Sequence, residues 1–295
     1  MKPPRFDYEA PASLEEALQR LRESGDDARV LAGGQSLIPA LNLRLANPGR
    51  LLDLRRITSL RGIRRLPSGA LAAGAMTRHA DFERDPLMQR HLPIVPAVMR
   101  RVAHPQIRNR GTIGGSLAHA DPAAEWPALC MALDATIVVA SASAERRIPA
   151  AEFPLGVYTT ALRPGELIRE IEFPAWPATR RWGFEEVSRR LGDFAITGAM
   201  CTLDIDANQR CTAARCVIFA ASERPQLVAA AAELVGGPVT EDAVARVAKA
   251  ARHSISPLSD HHASAEYRLE LVETMTARVL KQAAAMAAPT QESIR

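Results

Sequence analysis

The stretch "VLAGGQSLIPALNLRLANPG", residues 30–49, ends a short apolar run with two adjacent glycines and continues into an amphipathic segment. A strand that meets a helix at Gly-Gly makes a tight turn, because glycine adopts backbone conformations that other residues avoid. Such a turn also presents backbone N–H groups that no side chain covers, and converging N–H groups bind anions. The stretch predicts a strand, a turn and a helix, and leaves open whether the turn binds a ligand.

A second glycine cluster lies in "NRGTIGGSLAHADPAAEWPAL", residues 109–129. Neither cluster matches the Gly-x-Gly-x-x-Gly fingerprint of dinucleotide-binding Rossmann folds or the Gly-x-x-x-x-Gly-Lys motif of P-loops. A single Gly-Gly is more often a plain turn than a binding site. Two such loops in one chain predict a diphosphate held from two sides.

Composition excludes several classes of function. The chain has 295 residues, 47% of them hydrophobic and 24% charged, which is typical of a globular protein with room for two domains or for one with a substantial appendage. A net charge of +4 does not demand a nucleic-acid partner, and the most apolar segment, residues 126–140, is too short to span a membrane. The N-terminus lacks the apolar core of a secretory signal, and the four cysteines have neither zinc nor iron–sulfur spacing. We therefore expect a cytoplasmic protein with reduced thiols and no metal site.

The pattern of elements divides the chain into two α+β parts. The first third alternates strand and helix as β-α-β-α-β, with Ser13 and Glu16 forming a capping box at the first helix. A hairpin, several helices and three more strands follow, up to residue 174. A proline-containing stretch at 173–183 predicts a domain boundary. The last part is predicted to hold strands near 182–190, 196–206 and 213–221, and helices near 223–235, 240–252 and 262–287.

Four segments carry a resemblance to one family. "AGGQSLIP" (32–39) and "GTIGGSLAHADPAAE" (111–125) resemble the two flavin-binding motifs of the FAD-binding medium subunit of molybdenum hydroxylases, which include xanthine dehydrogenase and carbon monoxide dehydrogenase. "FDYEAPASLEEAL" (6–18) is similar to the usual start of that subunit. "RRLGDFAITGA" (189–199) is similar to the first core segment of its C-terminal domain. The resemblance covers nearly the whole chain.

The resemblance implies the fold in more detail. It implies a two-part FAD-binding domain of the PCMH or vanillyl-alcohol-oxidase type over residues 1–177, with subdomains of about 1–56 and 57–177. A C-terminal domain over residues 178–288 would consist of a three-stranded antiparallel sheet with a helical bundle. Residues 289–295 would form a tail.

The resemblance also assigns cofactor-binding residues. The first loop would cradle the FAD pyrophosphate, and the second would complete the cradle beside the flavin. Glu125, or alternatively Asp121, would contact the adenosine ribose. Ile168 would lie near the cofactor. The loop residues so assigned are Ala32, Gly33, Gly34, Gln35, Ser36, Leu37, Gly111, Thr112, Ile113, Gly114, Gly115 and Ser116. We expect both loops to lie at the surface of a cofactor cleft, so that substitutions at Gly34 or Gly114 leave the fold intact.

Other polar residues give no clear site. Glu185 and Glu186 stand where some relatives have a lysine, so the resemblance implies no cationic contact to the flavin from this strand. His119 follows the second loop; it could lie near the flavin ring, although a hydrogen-bonded loop histidine is the more common case. We assign no catalytic residue and no metal ligand.

The implied function is electron transfer. Electrons would pass from a molybdopterin large subunit, through 2Fe-2S clusters on a small subunit, to FAD on this chain, and leave to a quinone, cytochrome, NAD⁺ or oxygen. The complex would be a dimer of heterotrimers. Two alternatives stay open: a self-sufficient FAD oxidoreductase of the vanillyl-alcohol-oxidase type, and a scaffold subunit that binds no nucleotide.

Overall fold

The first third of the chain forms a small parallel sheet. The computed structural model describes residues 2–286, and its first sheet has the strand order β1-β3-β2. The elements are β1 (Asp7–Glu9), α1 (Leu14–Ser24), β2 (Ala28–Leu31), α2 (Leu37–Asn42) and β3 (Arg50–Asp53). The predicted β-α-β-α-β order is confirmed, although α2 ends earlier than the amphipathic pattern suggests.

The start of α1 shows how local sequence sets an element. The Oγ of Ser13 accepts the backbone N–H of Glu16 at 3.1 Å, and the Glu16 carboxylate accepts the N–H of Ala12 at 2.8 Å. These two bonds satisfy donors that the first helical turn leaves without partners. The buried face of α1, which includes Ala17 and Leu21, packs in one core with Leu52 of β3.

The middle of the chain is a larger antiparallel sheet with helices inserted between its strands. The strand order is β4-β5-β10-β6-β7, and β8 pairs separately with β9. The elements are β4 (Ile63–Arg65), β5 (Leu71–Gly74), α3 (His79–Arg84), α4 (Pro86–His91), α5 (Ile94–Met99), α6 (Pro105–Arg108), α7 (Ile113–His119), α8 (Glu125–Ala132), β6 (Thr136–Ala140), β7 (Glu145–Pro149), β8 (Pro154–Gly156), β9 (Thr159–Thr160) and β10 (Leu167–Phe173). Trp126 and Phe82 lie in its core, both fully buried.

The last part of the chain is a four-stranded antiparallel sheet with two long helices. The elements are β11 (Arg180–Val187), β12 (Thr197–Ile205), β13 (Cys211–Phe219), β14 (Gln226–Leu227), α9 (Glu241–Ser254) and α10 (Ala265–Ala285), with strands in sequential order. The prediction of three strands omitted the short β14. The helix predicted over 223–235 is wrong, because this stretch holds β14 and a 3-10 helix at Ala229–Leu234. Pro225 accounts for part of the difference, since the residue before a proline disfavours helical backbone angles.

The two faces of this last sheet pack against different parts of the molecule. Trp182 and Phe184 of β11 pack against the core of the middle sheet, whereas α9 and α10 cover the other face. The N–H of Ala220 donates to the carbonyl of Pro122 at 3.0 Å, across the same junction. The junction therefore joins α8 and its preceding loop to β11–β13.

Within residues 2–286, no helix is long and apolar enough to cross a bilayer. Three predictions reach beyond the described part of the chain. They are residue 287 at the end of the final helix, residue 288 at the end of the C-terminal domain, and the tail at 289–295.

Candidate functional site

The two glycine clusters meet in space. We call residues 32–37 the first glycine loop and residues 111–116 the second glycine loop. A Cβ placed on Gly33 would lie 2.4 Å from the carbonyl oxygen of Arg110 and 2.8 Å from the Cα of Gly111. A Cβ on Gly115 would lie 3.4 Å from the Cβ of Ala32. The backbones touch only because glycine stands at the contact, so the two loops form one continuous surface.

The first glycine loop presents backbone donors. It connects the end of β2 to the start of α2, and Gly34 has a φ of 74°, which favours glycine. Among residues 2–286, no acceptor is bonded to the backbone N–H of any residue from Gly33 to Leu37. The side chain of Gln35 braces the turn by donating to the Gly33 carbonyl at 3.0 Å. Consecutive N–H groups of this kind are suited to the oxygens of a phosphate.

The second glycine loop is held by the segment after β5. The N–H of His79 donates to the Gly111 carbonyl at 3.0 Å, the N–H of Ile113 to Thr77 at 3.1 Å, and the N–H of Gly114 to Ala75 at 2.8 Å.

The side chain of Thr112 caps α7 by accepting the N–H of Gly115 at 3.2 Å. Residues 111–114 are buried. A Cβ on Gly114 would lie 2.6 Å from the Cβ of Ala75. The expectation that both loops lie at the surface of a cleft is therefore wrong for Gly114, which is a packing position.

His79 lies directly behind the second glycine loop. Its Nδ1 accepts the indole N–H of Trp126 at 2.8 Å, and Phe82 packs edge-on against Trp126 with ring centroids 4.6 Å apart. Burial and, as the smaller cause, the nearby Arg108 guanidinium lower the pKa of His79 to about 4. Sequence reasoning missed His79, because its hydrogen bond with Trp126 joins residues 47 positions apart and leaves no local sequence pattern.

The structure separates the two acids predicted for the ribose. Asp121 is partly exposed and accepts the N–H of Ala123 at 2.9 Å and the Tyr158 hydroxyl at 3.3 Å. Glu125 is 7% exposed at the start of α8. Burial and then the neighbouring Glu186 raise the pKa of Glu125 to about 8. Glu125 therefore faces the junction with β11, whereas Asp121 lies on the loop after α7.

Glu186 was not assigned a role by the sequence. Both of its carboxylate oxygens are buried without a hydrogen-bond partner among the described residues, and burial raises its pKa to about 7. Its neighbour Glu185 points to the other face of the sheet and lies 3.4 Å from Arg278. The two glutamates thus have different surroundings, and one of them belongs to the domain junction.

The remaining predicted residues lie in the following places. Ile168 is 4% exposed in β10, beside a bulge in its pairing with β6. Ser36 is exposed, Ser116 and Leu37 are partly buried, and Ile113 is fully buried. The His119 ring contacts the Tyr158 ring at 4.9 Å, and burial lowers the pKa of His119.

Metal and thiol groups add no further site. Within residues 2–286, no three His, Cys, Asp or Glu side chains are grouped so that they could hold a metal ion. Cys130, Cys201, Cys211 and Cys216 are unpaired and buried. Burial raises the pKa of all four thiols, that of Cys216 to about 12.

The residues present fit the diphosphate of a dinucleotide such as FAD. The first glycine loop offers five consecutive backbone donors without acceptors in the described chain. The contact of Gly33 with Gly111 leaves no room for a side chain that would hold a phosphate away. This fit depends on the chain's own backbone and needs no charged side chain.

Comparisons with known proteins agree over the whole chain. A family model described as "FAD binding domain in molybdopterin dehydrogenase" matches residues 4–176, and one described as "CO dehydrogenase flavoprotein C-terminal domain" matches residues 182–283. The 6-hydroxypseudooxynicotine dehydrogenase complex subunit alpha of Paenarthrobacter nicotinovorans is 41% identical over 100% of this chain and 99% of that protein.

Two solved structures share the fold closely. A chain of the quinoline 2-oxidoreductase from Pseudomonas putida 86 is 42% identical, with a TM-score of 0.90 and 100% of both chains covered. A chain of the carbon monoxide dehydrogenase from Hydrogenophaga pseudoflava is 38% identical, with a TM-score of 0.94 over 97% of this chain and 99% of that one.

Proposed function

The chain belongs to the family of FAD-binding medium subunits of molybdenum hydroxylases, and on that premise we propose that it passes electrons from the 2Fe-2S clusters of a partner subunit to an external acceptor. It is an oxidoreductase subunit, and FAD is its cofactor. What FAD supplies when bound is the ability to take up and release electrons one or two at a time. The chain's own task is then to bind the dinucleotide and hold it in place.

The convergence of the two glycine loops carries this proposal. Residues 32–37 would hold the FAD pyrophosphate through their backbone N–H groups, and residues 111–116 would complete the cradle. This assignment is supported by the N–H groups from Gly33 to Leu37, which have no acceptor in the described part of the chain, and by the contact of Gly33 with Gly111. A diphosphate needs several hydrogen-bond donors. The first loop would supply them, and the second loop, which packs against it, would hold it in position.

The roles of the remaining residues belong to the same proposal. Glu125 or Asp121 would contact the adenosine ribose, and Ile168 would lie near the cofactor. The position of Asp121 on the loop directly after α7 supports a contact near the second glycine loop. The burial of Glu125 against Glu186 supports a role at the junction of the two domains. No side chain is proposed to transfer protons.

The partners are a molybdopterin large subunit and a 2Fe-2S small subunit, in a dimer of heterotrimers. The name of the 6-hydroxypseudooxynicotine dehydrogenase relative supports an assembly, since that protein is described as a complex subunit. The substrate would bind on the large subunit. A cytoplasmic location is part of the proposal and is supported by the four unpaired cysteines.

The FAD-binding domain would cover residues 1–177 with a subdomain boundary near 56, and matches ending at 176 and beginning at 182 support this division.

An anaerobic mixing experiment tests the electron-transfer proposal. An aldehyde, a purine or an N-heterocycle should not bleach the flavin band at about 450 nm when it is mixed with the FAD-loaded chain alone. Dithionite should bleach it, which shows that the flavin is reducible. Adding the two partner subunits should restore bleaching by the complex's own substrate.

Two outcomes would contradict the proposal. Rapid bleaching by an organic substrate without partners would identify a self-sufficient oxidoreductase instead. Failure of the purified apoprotein to take up FAD at all would remove the cofactor assignment itself.

A further inference from the structure

His79 connects the protein core to the second glycine loop. It is the first residue of α3, and its backbone N–H donates to the carbonyl of Gly111 at 3.0 Å. A Cβ on Gly111 would lie 2.7 Å from both Cδ2 and Nε2 of the His79 ring. One edge of the imidazole therefore packs against the backbone of Gly111, and a side chain at this position would have to displace the ring.

The core fixes the protonation of this ring. The indole N–H of Trp126 is only a donor, so the Nδ1 that it meets at 2.8 Å must be unprotonated. A neutral imidazole then has its proton on Nε2, the atom that faces Gly111. Trp126 is fully buried and is held by Phe82, so this hydrogen bond has little freedom to turn.

The contacts form a continuous column. Phe82 packs on Trp126, Trp126 donates to His79, and the His79 ring lies against Gly111. Gly111 in turn lies against Gly33, the first residue of the run with free backbone donors. The position of the second glycine loop, and through it that of the first, therefore depends on where the His79 ring stands.

We propose that His79 is a positioning residue for the cofactor: its neutral ring, held by Trp126, sets the spacing at which the two glycine loops receive a dinucleotide diphosphate. This inference rests on the proposed FAD-binding function. The charged group beside the ring is Arg108. Its guanidinium in turn donates to the carboxylate of Glu83 at 3.2 Å. The Arg108 guanidinium also donates to the carbonyls of Val102 and Ala103, which fix its position beside the ring.

FAD titration of apoprotein variants tests the inference. His79→Leu removes the acceptor for Trp126 and the flat ring, and it should weaken FAD binding about tenfold or more. His79→Asn keeps an acceptor oxygen for the indole N–H, and it should retain affinity within about threefold of wild type. Urea unfolding of each apoprotein is measured in parallel, so that affinity is compared only between folded proteins.

The double variant His79→Leu with Trp126→Phe distinguishes positioning from simple stability. Removing both partners avoids leaving a buried donor without an acceptor, so the apoprotein should regain stability relative to His79→Leu. The affinity for FAD should stay weak, because nothing restores the contact with Gly111. Recovery of affinity together with stability would overturn the inference.

Ring nitrogen NMR gives an independent readout. Labelled wild-type protein at pH 7 should show His79 as the Nε2-protonated tautomer, with Nδ1 accepting a hydrogen bond. An Nδ1-protonated ring would overturn the inference. If the wild-type apoprotein takes up no FAD, the proposed function fails; if it takes up FAD and His79→Leu does so equally well, only the inference fails.

Discussion

The two glycine loops have similar sequences and opposite surroundings. The first glycine loop has an exposed Ser36, and its backbone N–H groups from Gly33 to Leu37 meet no acceptor within residues 2–286. The second glycine loop is buried over residues 111–114 and bonded to Ala75, Thr77 and His79. The same residue type therefore serves two purposes. In the first loop Gly34 permits a backbone conformation, whereas Gly33 and the glycines of the second loop permit close packing.

This difference separates binding from folding. A substitution in the first loop reorients backbone N–H groups that donate to no acceptor among the described residues. A substitution in the second loop pushes against the segment after β5, which belongs to the core of the middle sheet. We therefore expect damage to the first loop to appear in FAD affinity, and damage to the second loop to appear already in the stability of the apoprotein.

Gly114→Val should give the largest effect. The new Cβ would lie 2.6 Å from the Cβ of Ala75 and 2.8 Å from its carbonyl oxygen. Backbone must move to relieve this overlap, which we expect to lower the free energy of unfolding by about 4 kcal/mol. Urea unfolding of the apoprotein measures the loss.

Gly237→Val is the matched control, because a Cβ there meets nothing within 4 Å. It should change the unfolding free energy by less than about 0.5 kcal/mol. A Gly114→Val apoprotein as stable as this control would remove the distinction between the loops.

Acid should weaken the support of the second loop. The folded pKa of His79 is about 4, below the ordinary value of 6.5, so its contribution to stability is present above pH 6.5 and is lost as the pH falls toward 4. The difference between these two pKa values makes this linkage about 3 kcal/mol. The first loop has no titrating side chain and should add no such dependence.

The stability difference between wild type and His79→Asn isolates this contribution from the titration of the carboxylates. That difference, measured by urea unfolding, should shrink steadily between pH 6.5 and pH 4. A difference that stays constant over this range would show that the ring is not held neutral by its surroundings.

Gly34→Ala should give the smallest effect on folding and a selective effect on binding. Alanine at a φ of 74° costs about 1 kcal/mol. The added Cβ would meet Ile38 at 3.2 Å and Leu31 at 3.4 Å, which the side chains can accommodate. Reorienting the N–H groups should weaken FAD about fivefold, measured by titration of the apoprotein.

Gly165→Ala provides the control for backbone strain alone. Its φ is 79° and a Cβ there meets nothing within 4 Å. It should lose a similar unfolding free energy and keep wild-type FAD affinity. Equal loss of affinity in both variants would mean that the first loop has no special part in binding.

The sequence predicted what short-range patterns determine. The capping box at Ser13, the β-α-β-α-β order and the strands β11–β13 follow from turn chemistry and apolar periodicity. The surface position expected for Gly114 is wrong because burial depends on Ala75, which is remote in sequence. The approach of Glu186 to Glu125 and the bond from Trp126 to His79 also arise only when separate elements pack. Local patterns thus identified the loops, and tertiary contacts decided which loop is buried.

The four buried thiols have a consequence for the chemistry of oxygen. A reduced flavin that meets dioxygen releases hydrogen peroxide, and peroxide oxidises thiolates to sulfenic acids far more readily than it oxidises thiols. Cys130, Cys201, Cys211 and Cys216 are buried with raised pKa values, so almost none of their sulfur is thiolate at neutral pH. We therefore expect these four thiols to resist oxidation by such peroxide.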